Sequence, residues 1–400
     1  MIDKILKLVG DIKGKNILFL QGPVGPFFNY IGRFFVKNDA KIFTIGFNFG
    51  DYFYANKSTY TPYKDTQENW GEFFTNFINK NKIDMLFLFG DCRFYHKTAI
   101  KIAKQNKLDV FVFEEGYLRP SFITLQKDGV NANANLPTDK KTYQLFSIDT
   151  ELENEIHSIK EIKGAYKFMA LHASIYYNIG NIFSFIYPNY KHHRDFNAFK
   201  EGVCGVRNFI KKYYLKIKEK NNIKKLIAMR KKYYFVPLQV HNDFQVLQHS
   251  KYKNIEEFIS EVLISFAKNA SKKSFLVFKH HPMDRGKKDY TKFIISLAKK
   301  LNVESRILIT FDTNLPTALK NAKATITINS TVGFQSLYHK TPVLCLGNAL
   351  YDIDGLTSKG VSLTKFWKNY KKVDAELFFK FKNYLLKYTQ INGSFYKIYN

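Results

Sequence analysis

The sequence has little cysteine, a shortage of acid and no long apolar run, and each lack argues against a class of protein. Its three cysteines, Cys92, Cys204 and Cys345, are odd in number and carry no metal-ligand spacing. That argues against a disulfide-stapled scaffold and for a reducing compartment, with all three thiols expected as buried small apolar groups. No stretch approaches the roughly 18–20 consecutive apolar residues that a membrane span needs. The opening Met1–Gly10 is too short and too charged for a signal peptide. A cytoplasmic protein is therefore expected, one able to rest on a membrane surface. There is no short internal repeat and no low-complexity tract.

What is abundant is positive charge. Lysine and arginine number 62 against 34 acidic residues, a net charge of +28, which calls for an anionic partner or surface. Nucleic acid, anionic lipid and a nucleotide-activated sugar all meet that demand, and charge alone does not choose among them. Aromatics reach 17%, mostly 39 Phe and 26 Tyr. Compositional bias and a structural use explain that excess equally well at this level. Four hundred residues suffice for two or three domains with a real core.

The order of elements is repetitive. Asn16–Leu20 predicts a buried strand, Gln21-Gly22-Pro23-Val24-Gly25-Pro26 a tight loop, and Phe27 to Phe35 a helix. The glycine spacing is not the dinucleotide G-x-G-x-x-G, so no nicotinamide cofactor is expected. Strands at 41–45, 85–89 and 110–113 alternate with helices near 70–79 and 98–105. A second series has strands at 233–239, 274–278, 306–310, 324–328 and 342–346. Helices at 255–267 and 290–301 separate them. Between the two series, from about Thr150 to Lys232, helical periodicity dominates. There Lys211, Lys212, Lys216, Lys218, Lys220, Lys224, Lys225, Arg230, Lys231 and Lys232 are opposed only by Glu219. A solvated helical linker accounts for that stretch, and so does a basic surface that meets anionic headgroups. The fold class is α/β, with two Rossmann-like domains facing across a cleft. The expected divisions are 1–225, including the basic helical segment of about 150–225, then 226–374, then a C-terminal helix at 375–400 packing back on the first domain.

Chemistry-bearing residues gather where strands end. Lys279, His281 and Arg285 follow the strand 274–278 and can hold a phosphate by charge-assisted hydrogen bonds, with His281 stabilising a departing phosphate oxygen. His280 alternates with His281 in an extended chain, so one of the two faces the site. Ser330, Thr331 and Gly333 open a helix, a ready anion site or a plain cap. Glu114 and Glu115 end a strand and point oppositely. One can do acid/base work while the other holds a basic residue such as Arg119. Asp243 can stabilise or attack an oxocarbenium-like centre, or merely cap a helix. Asp352-Ile353-Asp354 fits the short D-x-D pattern, but a single phosphate is neutralised by basic side chains and a helix start without a metal. No metal and no other cofactor are expected.

Six landmarks carry a resemblance. They are Leu20-Gln21-Gly22-Pro23-Val24-Gly25-Pro26-Phe27-Phe28, Phe113-Glu114-Glu115-Gly116-Tyr117-Leu118-Arg119-Pro120, Pro237-Leu238-Gln239 through Asp243, Lys279-His280-His281-Pro282, Asn329-Ser330-Thr331-Val332-Gly333, and Ala349-Leu350-Tyr351 through Gly355-Leu356-Thr357. Together the chain resembles the bacterial capsule polysaccharide biosynthesis proteins of the KpsS/LipB type, a family of β-Kdo transferases related to KpsC. The resemblance implies a GT-B-like fold, with an N-terminal acceptor domain and a C-terminal domain that binds a CMP-sugar. It further implies transfer of β-Kdo from CMP-Kdo to phosphatidylglycerol or its lyso form, priming the poly-Kdo linker of a capsule with retention of configuration. Lys279, His281, Ser330, Thr331 and Gly333 would then hold the CMP phosphate. Glu114 and Glu115 would supply acid and base, Asp243 the nucleophile, and Gln21, Gly22 and Gly25 the donor or acceptor loop. Arg119 and Arg285 are candidates for the sugar carboxylate. The chain departs from its relatives at His241-Asn242, where they tend to be acidic. Implied partners are the donor, an anionic phospholipid at the inner membrane, a KpsC-type elongating transferase and the capsule exporter, with no nucleic acid. Two other readings stay open: a polyol-phosphate transferase of capsule or teichoic-acid type, and a non-catalytic membrane- or nucleic-acid-binding protein.

Overall fold

The computed structural model describes residues 1–192 and 198–397. Residues 193–197, inside the expected helical segment, and 398–400 at the end of the C-terminal one lie outside the described residues. By their contacts the residues divide into two compact units. The first is Met1–Asn135, Ile148–Ala198 and Lys382–Asn400; the second is Leu136–Ser147 and Phe199–Phe381. Part of the basic helical segment thus belongs with the second unit, where the sequence reading had set the division at 225.

The first unit begins with six strands: β1 (Asn16–Phe19), β2 (Lys41–Gly46), β3 (Tyr60–Pro62), β4 (Met85–Phe89), β5 (Asp109–Glu115) and β6 (Phe122–Lys127). The second holds β7 (Tyr233–Pro237), β8 (Phe275–Lys279), β9 (Ile307–Thr310), β10 (Ala324–Thr327) and β11 (Val343–Cys345). Last comes β12 (Gln390–Asn392), which returns to the first unit. The two sheets run β12-β6-β5-β4-β1-β2-β3 and β11-β10-β7-β8-β9. Every pairing in the second sheet is parallel. These are two Rossmann-like units in one chain, the composition of a GT-B-like fold. Among the described residues no helix is long and apolar enough to cross a membrane.

Three strands were not foreseen: β3, β6 and β12. The first sheet is parallel except toward one edge, where β6 pairs antiparallel to both β5 and β12. The cause is chain length. Only Gly116–Ser121 connects β5 to β6, and a parallel crossover needs a dozen residues or more.

Continuous apolar strands are explained by burial on both faces. In the first unit Ile17, Phe19, Phe87, Phe111 and Phe113 pack on one side with the helices Ile2–Val9 and Phe27–Lys37. Leu18, Leu86, Leu88, Val110 and Val112 pack on the other with Trp70–Lys80 and Phe94–Gln105. Much of the phenylalanine excess is therefore structural, since ring contacts run from Phe35 through Phe87 to Phe111 and Phe113. The three cysteines are each half-buried, not fully enclosed as expected, because each sits near the end of an element or on a partly covered helix face.

The C-terminal stretch is part of the first core. Phe395 is 1% exposed and meets Phe27, Phe89 and Phe113 edge-on. Replacing Phe395 with Ala should cost about 3–5 kcal/mol, the range for emptying a buried aromatic site. Urea unfolding followed by circular dichroism measures it, and a loss below ~1 kcal/mol would show the segment to be peripheral.

Candidate active site

In a parallel α/β sheet, ligands bind outside the carboxyl ends of the strands where the chain reverses its direction of travel across the sheet. In the second unit the chain leaves β7 through β8 and β9, then returns to its other side as β10 and β11. The reversal point therefore lies between the ends of β7 and β10. Gln239, two residues past β7 and buried, spans it. Its Nε2 donates to Asp243 Oδ2 at 3.1 Å and to Asn329 Oδ1 at 3.0 Å, while its Oε1 accepts from the Asn329 N–H at 3.3 Å. One carboxamide thus sets both the Asp243 carboxylate and the start of the next loop.

That loop enters the helix Thr331–Tyr338, and the Ser330 Oγ caps it by accepting from Val332 N–H at 3.2 Å. The Tyr351 hydroxyl donates to the Ser330 carbonyl and lies so close to Gly333 that a Cβ there would fall on it. Glycine is thus needed at 333 for space, and the helix start is held in place.

On β8 the two-residue period separates the basic side chains. Phe235, Val277 and Val332 pack on one side of the sheet, which is also the side of Gln239 and Lys279 by parity. Lys279 is buried. Desolvation lowers its ammonium to about 8, with Arg285 adding to the fall while Asp312 and Glu219 oppose it. His280 takes the opposite side, stacked on Phe311 at 4.0 Å and accepting from Tyr290 N–H at 2.9 Å. Burial pushes it down to about 4, which makes it a neutral core residue. His281 is partly exposed. Its Nδ1 accepts from Met283 N–H at 3.2 Å, which places the ring proton on Nε2.

Asp284, which sequence reasoning did not single out, ties the loop after β7 to the loop after β8 through His241. Asp284, 1% exposed, accepts from the His241 backbone at 2.8 Å and from its Nδ1 at 2.7 Å. His241 is thereby locked against a buried acid. Asp-after-His-Pro was the available signal. Arg285 is committed elsewhere, to Asp312 at 2.9 Å and Asn208 at 3.3 Å. The D-x-D pair diverges: Asp352 accepts from Thr357, whereas Asp354 meets Lys140 and Lys371.

The first unit repeats the device. Its chain leaves β1 through β2 and β3 and returns as β4, so the reversal point lies between the ends of β1 and β4. Gln21 accepts there from Arg93 at 2.8 Å and donates to Tyr176 at 2.9 Å and Asp51 at 3.2 Å. Tyr176 in turn donates to Asp51 at 2.7 Å, and burial pushes the Asp51 carboxyl up. Asp51, Arg93 and Tyr176 were missed because nothing in their local sequence marks them. Gly25 holds φ +117°, which favours glycine, and sits against the His172 ring. Gln21, Gly22, Gly25, Asp51 and Tyr176 line a cavity of about 350 Å³ whose other wall includes Phe28 and Arg33.

The glutamates are separated as strand parity requires. Glu115 accepts from Tyr396 at 2.9 Å on the side of Phe113. Glu114 points to the other side, accepting from its neighbour's N–H at 2.9 Å and from Asn131 at 3.4 Å. Burial raises Glu114 to about 7, with Glu115 and Asp91 adding to the rise and Arg93 opposing it. The loop that follows is pinned by buried Gln390, which accepts from Tyr117 N–H at 2.9 Å and Leu118 N–H at 3.2 Å. Arg119 is exposed, its Nε donating to the Gly116 carbonyl at 3.1 Å.

Glu114 yields a signed expectation. Its carboxyl is raised from 4.5 to about 7, so its contribution to stability is present below about pH 4.5 and lost as pH rises through 7. Glu114→Gln should therefore raise the melting temperature above pH 7 and change it little near pH 5. Equal shifts at both pH values would show that the carboxyl titrates normally.

Residues 84–396 match the family described as capsule polysaccharide biosynthesis protein. Over 96% of this chain and 98% of its own length, the Escherichia coli capsule polysaccharide export protein KpsS is 38% identical. The Neisseria meningitidis serogroup A capsule polysaccharide modification protein LipB is 37% identical, covering 96% of this chain and 92% of its own. Among solved structures, KpsC of Thermosulfurimonas dismutans, a β-Kdo 2,7 transferase, aligns with 92% of this chain and 99% of its own, at 14% identity and a TM-score of 0.40. With a family match over most of its length and full-length relatives well above 30% identity, the chain belongs to the capsule polysaccharide biosynthesis protein family.

Proposed function

We propose that the protein is a retaining glycosyltransferase that moves β-Kdo from CMP-Kdo to phosphatidylglycerol or lysophosphatidylglycerol, priming the linker of a capsular polysaccharide. The observation that carries the reading is Gln239, which holds Asp243 and Asn329 together at the reversal point of the second sheet beside the Ser330 helix start.

In the first step the Asp243 carboxylate attacks the anomeric carbon. The carbon–oxygen bond to CMP breaks, and its electron pair passes to the phosphate. That phosphate meets the Ser330 hydroxyl, the Thr331 N–H at the helix start, the His281 Nε2–H and the Lys279 ammonium, with Gly333 leaving the room that the turn needs. One phosphate is neutralised by these groups, so no metal enters the proposal. In the second step the acceptor hydroxyl attacks the same carbon and releases Asp243. Its proton goes to an acid/base carboxyl, a role assigned to Glu114 because its pKa of about 7 suits both directions of transfer. Glu115, bound to Tyr396, is assigned the supporting part. Arg285 lies against Asp312 and is ranked behind exposed Arg119 for the sugar carboxylate. The lipid acceptor places the enzyme at the inner face of the membrane, where a KpsC-type transferase would extend the product before export.

Incubation with CMP-Kdo, generated in place, and short-chain phosphatidylglycerol should give a Kdo-lipid by mass spectrometry. Absence of that product, or product from CDP-glycerol instead, rejects the reading. Glu114→Gln should slow turnover by about 10²–10⁴-fold, the usual worth of a general acid/base. Asp243→Ala should abolish it.

Lys279 adds a pH signature. Its ammonium is charged below about 8, so CMP affinity should fall as pH rises through that value. Calorimetric titration across the range tests this, and Lys279→Met should flatten the curve. An unchanged slope in that variant would remove Lys279 from the phosphate site.

A further inference from the structure

The helix Ala198–Lys218 carries two faces with opposite environments. One faces its own unit: Leu215 is 7% exposed, Asn208 bonds Arg285 at 3.3 Å and the Pro282 carbonyl at 3.4 Å, and Lys211 meets Asp289 at 3.8 Å. A Cβ on Gly286 would fall on the Cys204 carbonyl, so the helix backbone sits hard against that loop. The other face is apolar and uncovered. Val203, Val206, Ile210, Tyr213 and Ile217 recur at alternating spacings of three and four residues, and Ile217 is 78% exposed. With exposed Phe209 and Tyr214 the apolar face spans an arc of roughly 140° at 100° per residue.

Exposed cations border that arc on both sides. Lys212 and Lys216 stand along one edge, Arg207 and Lys218 along the other, and no acid occurs between 203 and 218. Lys218 lies over the Tyr214 ring at 5.5 Å. An apolar stripe with aromatics, edged by cations and facing away from the packed side, has the form of a helix that lies in a membrane interface. A second copy of the chain would bring two cationic borders together and is disfavoured by their repulsion.

We propose that this helix docks in the plane of an anionic bilayer, with the row Val203 to Ile217 at the boundary of headgroups and acyl chains and the bordering cations on lipid phosphates. The choice of partner rests on the phospholipid acceptor proposed above, but the docking itself requires no donor and no transfer.

The test is sedimentation of the full-length protein with vesicles of phosphatidylcholine alone and of phosphatidylcholine mixed with phosphatidylglycerol. Binding to the mixed vesicles is expected, weakening with salt. The variant Ile210→Ser/Tyr213→Ser/Ile217→Ser should lose at least about tenfold in affinity, and Lys212→Gln/Lys216→Gln several-fold. Ile217→Trp should shift its emission to the blue on those vesicles, against the constant background of buried Trp70 and Trp367. Vesicle binding by the triple variant equal to that of the parent overturns the proposal. So does a dimer on gel filtration that the triple variant dissolves while vesicle binding persists. Transfer to a short-chain acceptor, which needs no bilayer, is measured alongside. Its retention in the triple variant supports a purely docking role. Vesicle binding with no transfer by any form sustains the helix assignment and counts against the glycosyltransferase reading alone.

Discussion

In each sheet a buried glutamine carboxamide closes the gap where neighbouring strands part. At such a point the chain separates to opposite sides, and polar groups at the strand ends lose the ladder partners they would have within the sheet. A group left unpaired there costs about 1–3 kcal/mol. Gln21 and Gln239 each offer one acceptor and two donors, enough to engage the loops on both sides of the gap at once. The arrangement also positions the groups assigned to chemistry, since Asp243 and Asn329 are hydrogen-bonded to one amide. Gln390, on β12, does similar work behind the glutamate loop, tying that strand to Tyr117 and Leu118.

Scarce acid is used internally. Glu219, the lone acid among ten cations of its segment, accepts from the backbone of Phe311 and Asp312 and from the Thr310 hydroxyl, closing the end of β9. Asp312 neutralises Arg285, and Asp284 locks His241. With these carboxylates committed to loops, many exposed lysines go unmatched and the net charge of +28 is carried at the surface. An anionic donor and an anionic lipid surface both suit such a field.

The same economy separates the two kinds of ionisable group in the site regions. Carboxyls such as Glu114 and Asp51 are raised by burial, and Lys279 is lowered by it. Both kinds move toward neutrality in the absence of ligand, so a bound phosphate or a transferred proton changes the local charge most. Among residues that only support structure, His280 is likewise held neutral by burial between two rings, whereas Asp354, paired with two lysines, is held charged.

Parallel strands, their order of occurrence and the motifs at their ends were legible because burial on both faces writes apolar runs into the sequence, and turns write glycine and proline after them. Strand parity alone separated Glu114 from Glu115 and His280 from His281, a consequence of the two-residue period. The edge strands β3 and β12 have only three residues each, and β6 mixes polar Thr124, Gln126 and Lys127 with its apolar residues, so none stands out as an apolar run. Asp51, Arg93, Tyr176 and Asp284 belong to the site regions through hydrogen bonds to residues 30–155 positions away, and no local pattern encodes such a partner. The sequence by itself determined which residues end strands and which face they take, since both follow from local periodicity. Only the tertiary structure decided which of those ends meet, because that depends on strand order and on side chains distant in the chain.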